Sequence, residues 1–228
     1  IVGILGTLLL GLLMGCINGV LVAVLELPPF IATLGTMMVA RGFGSIITGG
    51  MSVTWPAASS EQGWFRMLFK INKPGLLLPV GFIWVVIFVI LMSLFLNKTR
   101  PGRYIIAIGS NKEATRLSGV NVVKYQALAY IISGVFAGIA GIAYAAVFSS
   151  SIGAGLELDA IAGAIIGGTS MTGGCGSIFG TLLGVFVMSM LKSGLPYIGL
   201  QANWQQIITG LILILAVFID VIKNRKLA

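Results

Sequence analysis

The chain has 228 residues, of which 57% are hydrophobic and 9% charged, with a formal net charge of +8 at pH 7 and no histidine. A soluble domain covers its surface with roughly a quarter charged residues, so lipid must be the solvent for much of this chain. With six carboxylates and no histidine, metal hydrolysis, histidine proton relays and Ser-His-Asp chemistry all lose their usual parts.

A membrane helix needs about 20 mostly apolar residues. The first such run is Ile1–Leu25, uncharged until Glu26. It opens in mid-run without a basic leader, so it reads as the first span of an N-terminally truncated chain, not as a signal peptide. The second span is expected over 28–48, where Pro28-Pro29 suits a first helical turn. Residues 49–75 carry Trp55, Trp64, Arg66, Lys70 and Lys73 and fit an interfacial loop with tryptophans at headgroup depth. Leu76–Leu96 is an uncharged third span, followed by a long polar connection, 97–124, and a fourth span over 125–147.

A Ser/Gly loop, 148–156, leads to a short apolar helix over 157–170. Its 14 or so residues reach about 21 Å, short of the roughly 30 Å hydrocarbon core. A broken or partly re-entrant element is expected there, covered by protein or lining a cavity. Glycine-rich 171–177 must turn. A helix over 178–192, a loop over 193–203 and a last span over 204–222 complete the chain, with Trp204-Gln205-Gln206 as an interfacial anchor. The prediction is an all-α polytopic membrane bundle of about seven membrane segments, one of them short or re-entrant. It forms a single transmembrane domain over 1–228.

The connection 97–124 holds six basic residues and the tail three, Lys223, Arg225 and Lys226, against four on the opposite side. Both clusters fall on one side of a seven-segment path, which the positive-inside rule makes cytoplasmic. The first residue then faces outside, and an odd number of spans is expected upstream if the intact N-terminus is cytoplasmic. Basic residues clustered between spans, with no aromatic–basic module, give no nucleic-acid partner. Cys16 and Cys175 form neither a disulfide framework nor a redox motif. Small residues recur at helical spacing: Gly11, Gly15 and Gly19 in the first span, Gly134 and Gly138 in the fourth, and Gly176, Gly180 and Gly184 in the sixth. Helices in lipid associate through such close backbone approach.

Within 97–124, residues 109–121 read as a short helix bounded by glycines. Ser110 or Asn111 can cap it, Glu113 falls in the first turn, and Gly119 can end it. A charged, capped helix between two spans is either a lever for a soluble partner or a solvated loop obeying topology.

The run Gly109–Val122 with Lys124, then Tyr130, Ser133-Gly134, Ala137-Gly138 and Ala140-Gly141, resembles the permease of ribose-, xylose- and galactose-type ABC importers. So do Gly153–Ala162, leading into Ile166-Gly167-Gly168-Thr169-Ser170, then Gly173-Gly174, Gly176, Gly180-Thr181 and Trp204-Gln205-Gln206. Asn18-Gly19, Pro28–Thr36 and Ala40-Arg41-Gly42 fit the same pattern, so the resemblance covers nearly the whole chain. Branched-chain amino-acid permeases share this broad superfamily, but usually lack the Glu-Leu-Asp-Ala-Ile-Ala lead-in at 157–162.

The resemblance implies a permease subunit in a bacterial inner membrane, paired with a second permease copy as a homo- or heterodimer and surrounded by lipid. A periplasmic or extracellular binding protein delivers a monosaccharide, and a separate ATPase supplies energy. The permease itself is then no enzyme and needs no cofactor or metal; the sequence contains no Gly-x4-Gly-Lys-Ser/Thr phosphate loop. Residues 97–124 would be the cytoplasmic coupling loop, with Ser110, Asn111, Glu113, Arg116 and Ser118 meeting the ATPase.

Candidate pathway or gate residues are Asn18, Thr33, Thr36, Arg41, Glu157, Asp159, Gly167, Gly168 and Thr169. Neutral Asn18, Thr33, Thr36, Ser133, Thr169 and Ser170 serve either interhelical hydrogen bonds or an uncharged sugar's path. Glu157 and Asp159 either meet the binding protein or sugar hydroxyls, or are acids stabilised by a helix N-terminus. Arg41, inside a span, lines a cavity or pairs with an acid such as Glu26 or Glu157. Alternatives are a permease for branched-chain amino acids or autoinducer-2, and an ion-coupled secondary transporter; the last expects a mid-span acid or inverted repeats.

Overall fold

The computed structural model describes residues 1–56, 63–67, 69, 80–148, 155–199 and 202–225. Lys70, Lys73, the beginning of the third expected span, most of the Ser/Gly loop and Lys226 lie outside the described residues. The chain divides into two compact units, residues 1–88 with 119–153, and residues 89–118 with 154–228.

In the first unit, α1 (Val2–Ala23) and α2 (Pro29–Thr48) are joined by a tight turn. The Leu25 and Leu27 amides donate back to the Val20 and Leu21 carbonyls, and Glu26 holds a φ of 53°. Pro29 supplies the preset φ of a first turn, and left-handed Gly49 ends α2. The four-residue helix α3 (Trp64–Met67) and α7 (Val122–Val147) complete the unit, with the beginning of α4 (Val80–Lys98). α7 begins three residues before the expected position because the Asn121 side chain accepts from the Lys124 amide.

α1 and α7 run antiparallel at backbone contact. A Cβ on Gly134 would lie 2.3 Å from the Gly11 carbonyl oxygen, one on Gly15 would lie 2.7 Å from the Tyr130 oxygen, and Gly19 faces Ala127. Two glycine stripes read from sequence are thus one seam. Trp84, Phe88 and Phe136 add a ladder of rings, with centroids 6.0 and 5.5 Å apart.

In the second unit, the connection after α4 is more ordered than expected. Helix α5 (Arg100–Ser110) precedes α6 (Lys112–Leu117). Thr99 caps α5 by accepting from the Gly102 amide at 3.2 Å, and Pro101 occupies its first turn. The polar connection with one short helix is therefore corrected to two helices. Ser110 closes the first, and Asn111 alone caps the second.

The short helix α8 (Leu156–Ile166) and α9 (Ile178–Gly194) form an antiparallel hairpin. A Cβ on Gly184 would sit 2.0 Å from the Gly163 oxygen, and one on Gly180 would sit 2.1 Å from the Gly167 oxygen. Gly176 falls in the turn before α9, not in the helix, because Ser177 caps α9 through the Gly180 amide. A 3-10 turn, Leu195–Ile198, follows, and α10 (Ala202–Arg225) ends the unit.

Six helices among the described residues are long and apolar enough to cross a membrane; with short α8 they make the all-α, multi-pass membrane bundle expected. The glycine seam sets a test by thermal unfolding in detergent. Gly134→Ala should lower stability by about 1–3 kcal/mol, the usual cost of overpacking. Gly35→Ala, whose Cβ meets nothing within 4 Å, should be neutral. Equal midpoints would contradict the seam.

Candidate functional site

Two clusters gather the sequence-predicted residues, one in each unit. In the first unit an open cleft of about 490 Å³ runs along the α1–α7 seam beside α2. Thr7, Asn18, Thr33, Tyr130 and Ser133 supply its polar groups, while Gly11, Gly15, Gly134 and Gly138 line it without side chains. Asn18 is fixed by Thr36, whose hydroxyl donates to Asn18 Oδ1 at 2.8 Å from the next helix. Thr33 is held on its own helix by a 2.9 Å bond from its hydroxyl to the Pro29 carbonyl. Among the described residues the lining holds no charged side chain, so these offer the cleft neutral donors and acceptors only. Arg41 is exposed on α2 and does not line it.

In the second unit, α6 presents itself to its surroundings. Asn111 Oδ1 accepts from the Ala114 amide at 2.9 Å, and left-handed Gly119, φ 81°, follows Ser118. Thr115 is buried, whereas Lys112, Glu113, Arg116 and Ser118 are exposed. Leu117 is 86% exposed. A capped helix with paired charge signs and a bare leucine can seat in a groove on a partner. The sequence reading missed Leu117, although an apolar residue closing a charged helix was visible.

The glycine-rich turn 167–177, between α8 and α9, lies against the end of α5. A Cβ on Gly109, at the end of α5, would lie 2.5 Å from the Gly174 amide nitrogen, so the two backbones touch. The Ser110 hydroxyl lies 3.4 Å from the Gly174 carbonyl. Gly167 and Gly168 open the turn, and the Thr169 hydroxyl meets that of Thr181 at 3.1 Å. From α10, Asp220 Oδ2 accepts from the Ser170 hydroxyl at 3.0 Å and from the Met171 amide at 3.1 Å. Sequence reading missed Asp220 as well; its signal was a carboxylate near the end of an apolar span.

At the other end of the hairpin, Lys192 Nζ donates to Asp159 Oδ2, tying the first turn of α8 to the last turn of α9. Glu157 is half-buried in the same first turn, two residues from Asp159. The gate candidates therefore sit at both ends of one hairpin: Glu157 and Asp159 at one, Gly167, Gly168 and Thr169 at the other. No group of three or more metal-ligating His, Cys, Asp or Glu side chains occurs among the described residues.

Comparison with known proteins adds the lineage. Residues 1–217 match the family model described as branched-chain amino acid transport system / permease component. The chain belongs to this permease family. It is 38% identical to the galactose/methyl galactoside import permease protein of Haemophilus influenzae, across 98% of this chain and 67% of that protein. It is 39% identical to the ribose import permease protein of Escherichia coli, across 99% and 70%. It is 36% identical to the fructose import permease protein of Bifidobacterium longum, across 93% and 64%. No solved structure matches the chain significantly.

The ion pair yields a double-mutant cycle read by thermal unfolding. Lys192→Met should lower the midpoint, since Asp159 keeps a mostly buried carboxylate; adding Asp159→Asn should recover part of the loss. The coupling should be about 1 kcal/mol, the upper range for a pair that solvent still reaches. Strictly additive effects would mean the pair contributes nothing.

Proposed function

We propose that this chain is the membrane-spanning permease subunit of an ATP-driven importer that carries a monosaccharide across a bacterial inner membrane. One observation carries the cargo class: relatives at 36–39% identity are named for the import of galactose, ribose and fructose. The cleft supports it. Its volume lies within the roughly 300–1,000 Å³ of small-molecule sites, and its lining is neutral. A free amino acid carries two charges that would need partners when desolvated, so the cleft favours a sugar over a branched-chain amino acid.

The machinery divides as follows. A separate ATPase docks on exposed α6, with Asn111, Glu113, Arg116, Leu117 and Ser118 forming the contact and Ser110 linking it to the turn 167–177. This face is cytoplasmic, by the excess of basic residues along 97–124. A binding protein delivers sugar at the opposite face, where Glu157, Asp159 and Lys192 lie. Asn18, Thr33, Thr36 and Ser133 belong to the sugar's path. The whole chain acts as one transmembrane permease domain. ATP closes the ATPases, α6 moves with them, and ligands bias only the states they bind unequally.

The test is uptake of labelled galactose, ribose and fructose into vesicles bearing the complete importer. Uptake should require ATP, ignore ionophores, and fall together with ATPase association in Glu113→Lys/Arg116→Glu. The loss should be about tenfold or more, the scale of reversing close charges across an interface. Ionophore-sensitive uptake, or unchanged association and uptake in the charge-reversed variant, would contradict the assignment.

A further inference from the structure

The turn 167–177 is a soft object held from outside. Gly168, Gly173 and Gly174 have φ of 86°, 96° and 79°, a region where glycine moves freely. Apart from the Thr169–Thr181 hydroxyl bond to α9 at 3.1 Å, its own bonds are local: the Ser170 amide to the Cys175 carbonyl at 3.0 Å, the Gly173 amide to the Ser170 carbonyl at 3.3 Å, and the Ser170 and Thr172 hydroxyls at 2.8 Å. α5 presses on one side of it through Gly109 against Gly173 and Gly174. On the other side, one carboxylate oxygen of Asp220 takes both the Ser170 hydroxyl and the Met171 amide.

A carboxylate near the end of a span is costly unless it is paired, and hydrogen bonds to a charged acceptor are the strong ones. Asp220 therefore supplies the stiffness that the glycines withhold. It does so 50 residues along the chain from Ser170, on a helix whose apolar stretch is otherwise uncharged.

We propose that Asp220 is a positioning residue of the transport cycle: its carboxylate fastens the turn 167–177 to α10. A displacement delivered at the α5–α6 corner is thereby carried into the last span instead of being absorbed by the glycines. This rests on the reading of the chain as an ATP-driven permease with its docking segment at 110–118. The fastening is a strut that stays closed throughout the cycle, not a latch that must open.

The experiment uses the complete importer in proteoliposomes, with ATP hydrolysis and labelled-sugar uptake measured on the same preparation. Asp220→Leu should lower the sugar moved per ATP about tenfold, the worth of a hydrogen bond to a charged group, with hydrolysis within about twofold of the parent. Asp220→Asn keeps an acceptor oxygen for both donors and should restore most of that ratio. An unaltered ratio in Asp220→Leu, or uptake and hydrolysis falling in parallel, would overturn the proposal.

Should Asp220→Leu fail to fold, Ser170→Cys/Asp220→Cys in a Cys16→Ser/Cys175→Ser background gives a second reading. Bridged by a short bis-methanethiosulfonate, which forms a disulfide with each cysteine and releases two sulfinates, this variant should transport; released by reductant, it should hydrolyse ATP without transport. A bridge that stops uptake, or no difference between the two forms, would overturn the strut. A parent importer that moves no monosaccharide on ATP would bring down the permease reading and this inference with it. A working parent beside an unaltered Asp220→Leu brings down this inference alone.

Discussion

Where lipid surrounds a helix, an apolar side chain gains little by exchanging lipid for a neighbouring helix, so two spans hold together only where their backbones come close enough for dense van der Waals contact. Each unit of this chain is organised by one such contact. Gly11, Gly15 and Gly134 bring α1 against α7, and Gly163, Gly167, Gly180 and Gly184 bring α8 against α9. In the first unit the same glycines do a second thing. By withholding side chains along the seam they leave the cleft that Asn18, Thr33 and Ser133 furnish with polar groups. Packing and cleft have one cause.

In the second unit the glycine contact decides the meaning of the short helix. α8 has 11 residues, about 16 Å at 1.5 Å per residue. Its register against α9 carries it from Lys192, near one end of that helix, to Gly180, near the other. The turn 167–177 continues the hairpin beyond α8, and Ser110, Asp220 and its own Ser170–Cys175 bond meet its irregular backbone. Inside a membrane, irregular backbone survives only with cover of this kind. The partners that cover it are the same residues through which, in the proposed coupling, a motion of α6 reaches the last span.

Much of this was legible in the sequence. Span lengths, the glycine stripes and the capping signals at Asn111 and Gly119 are local patterns with a fixed period or offset, and folding leaves them largely in place, with Gly176 moved from its stripe into the turn before α9. α5 was not read because Lys98, Arg100 and Arg103 made its surroundings look like a solvated loop. The Thr99 cap and Pro101 were the signal that went unused. The pairings that give the site its shape are of another kind. Asn18 meets Thr36 across two helices, Asp159 meets Lys192 from 33 residues away, and Asp220 meets Ser170 from 50. Nothing periodic announces such partners; they follow from helix register, which the glycine contacts set only once both helices are in place.

If the backbone contact of Gly109 with Gly173 and Gly174 is what couples docking to the membrane, α5 and the turn must travel together. The most direct measurement is the distance between spin labels on Arg103→Cys and the native Cys175, with Cys16→Ser, in the assembled importer with and without ATP. Rigid coupling predicts a distance constant to within about 2 Å, the scale of ordinary helix shear. A change of about 5 Å, a full helical turn, would show the two parts moving independently and would contradict the coupling path.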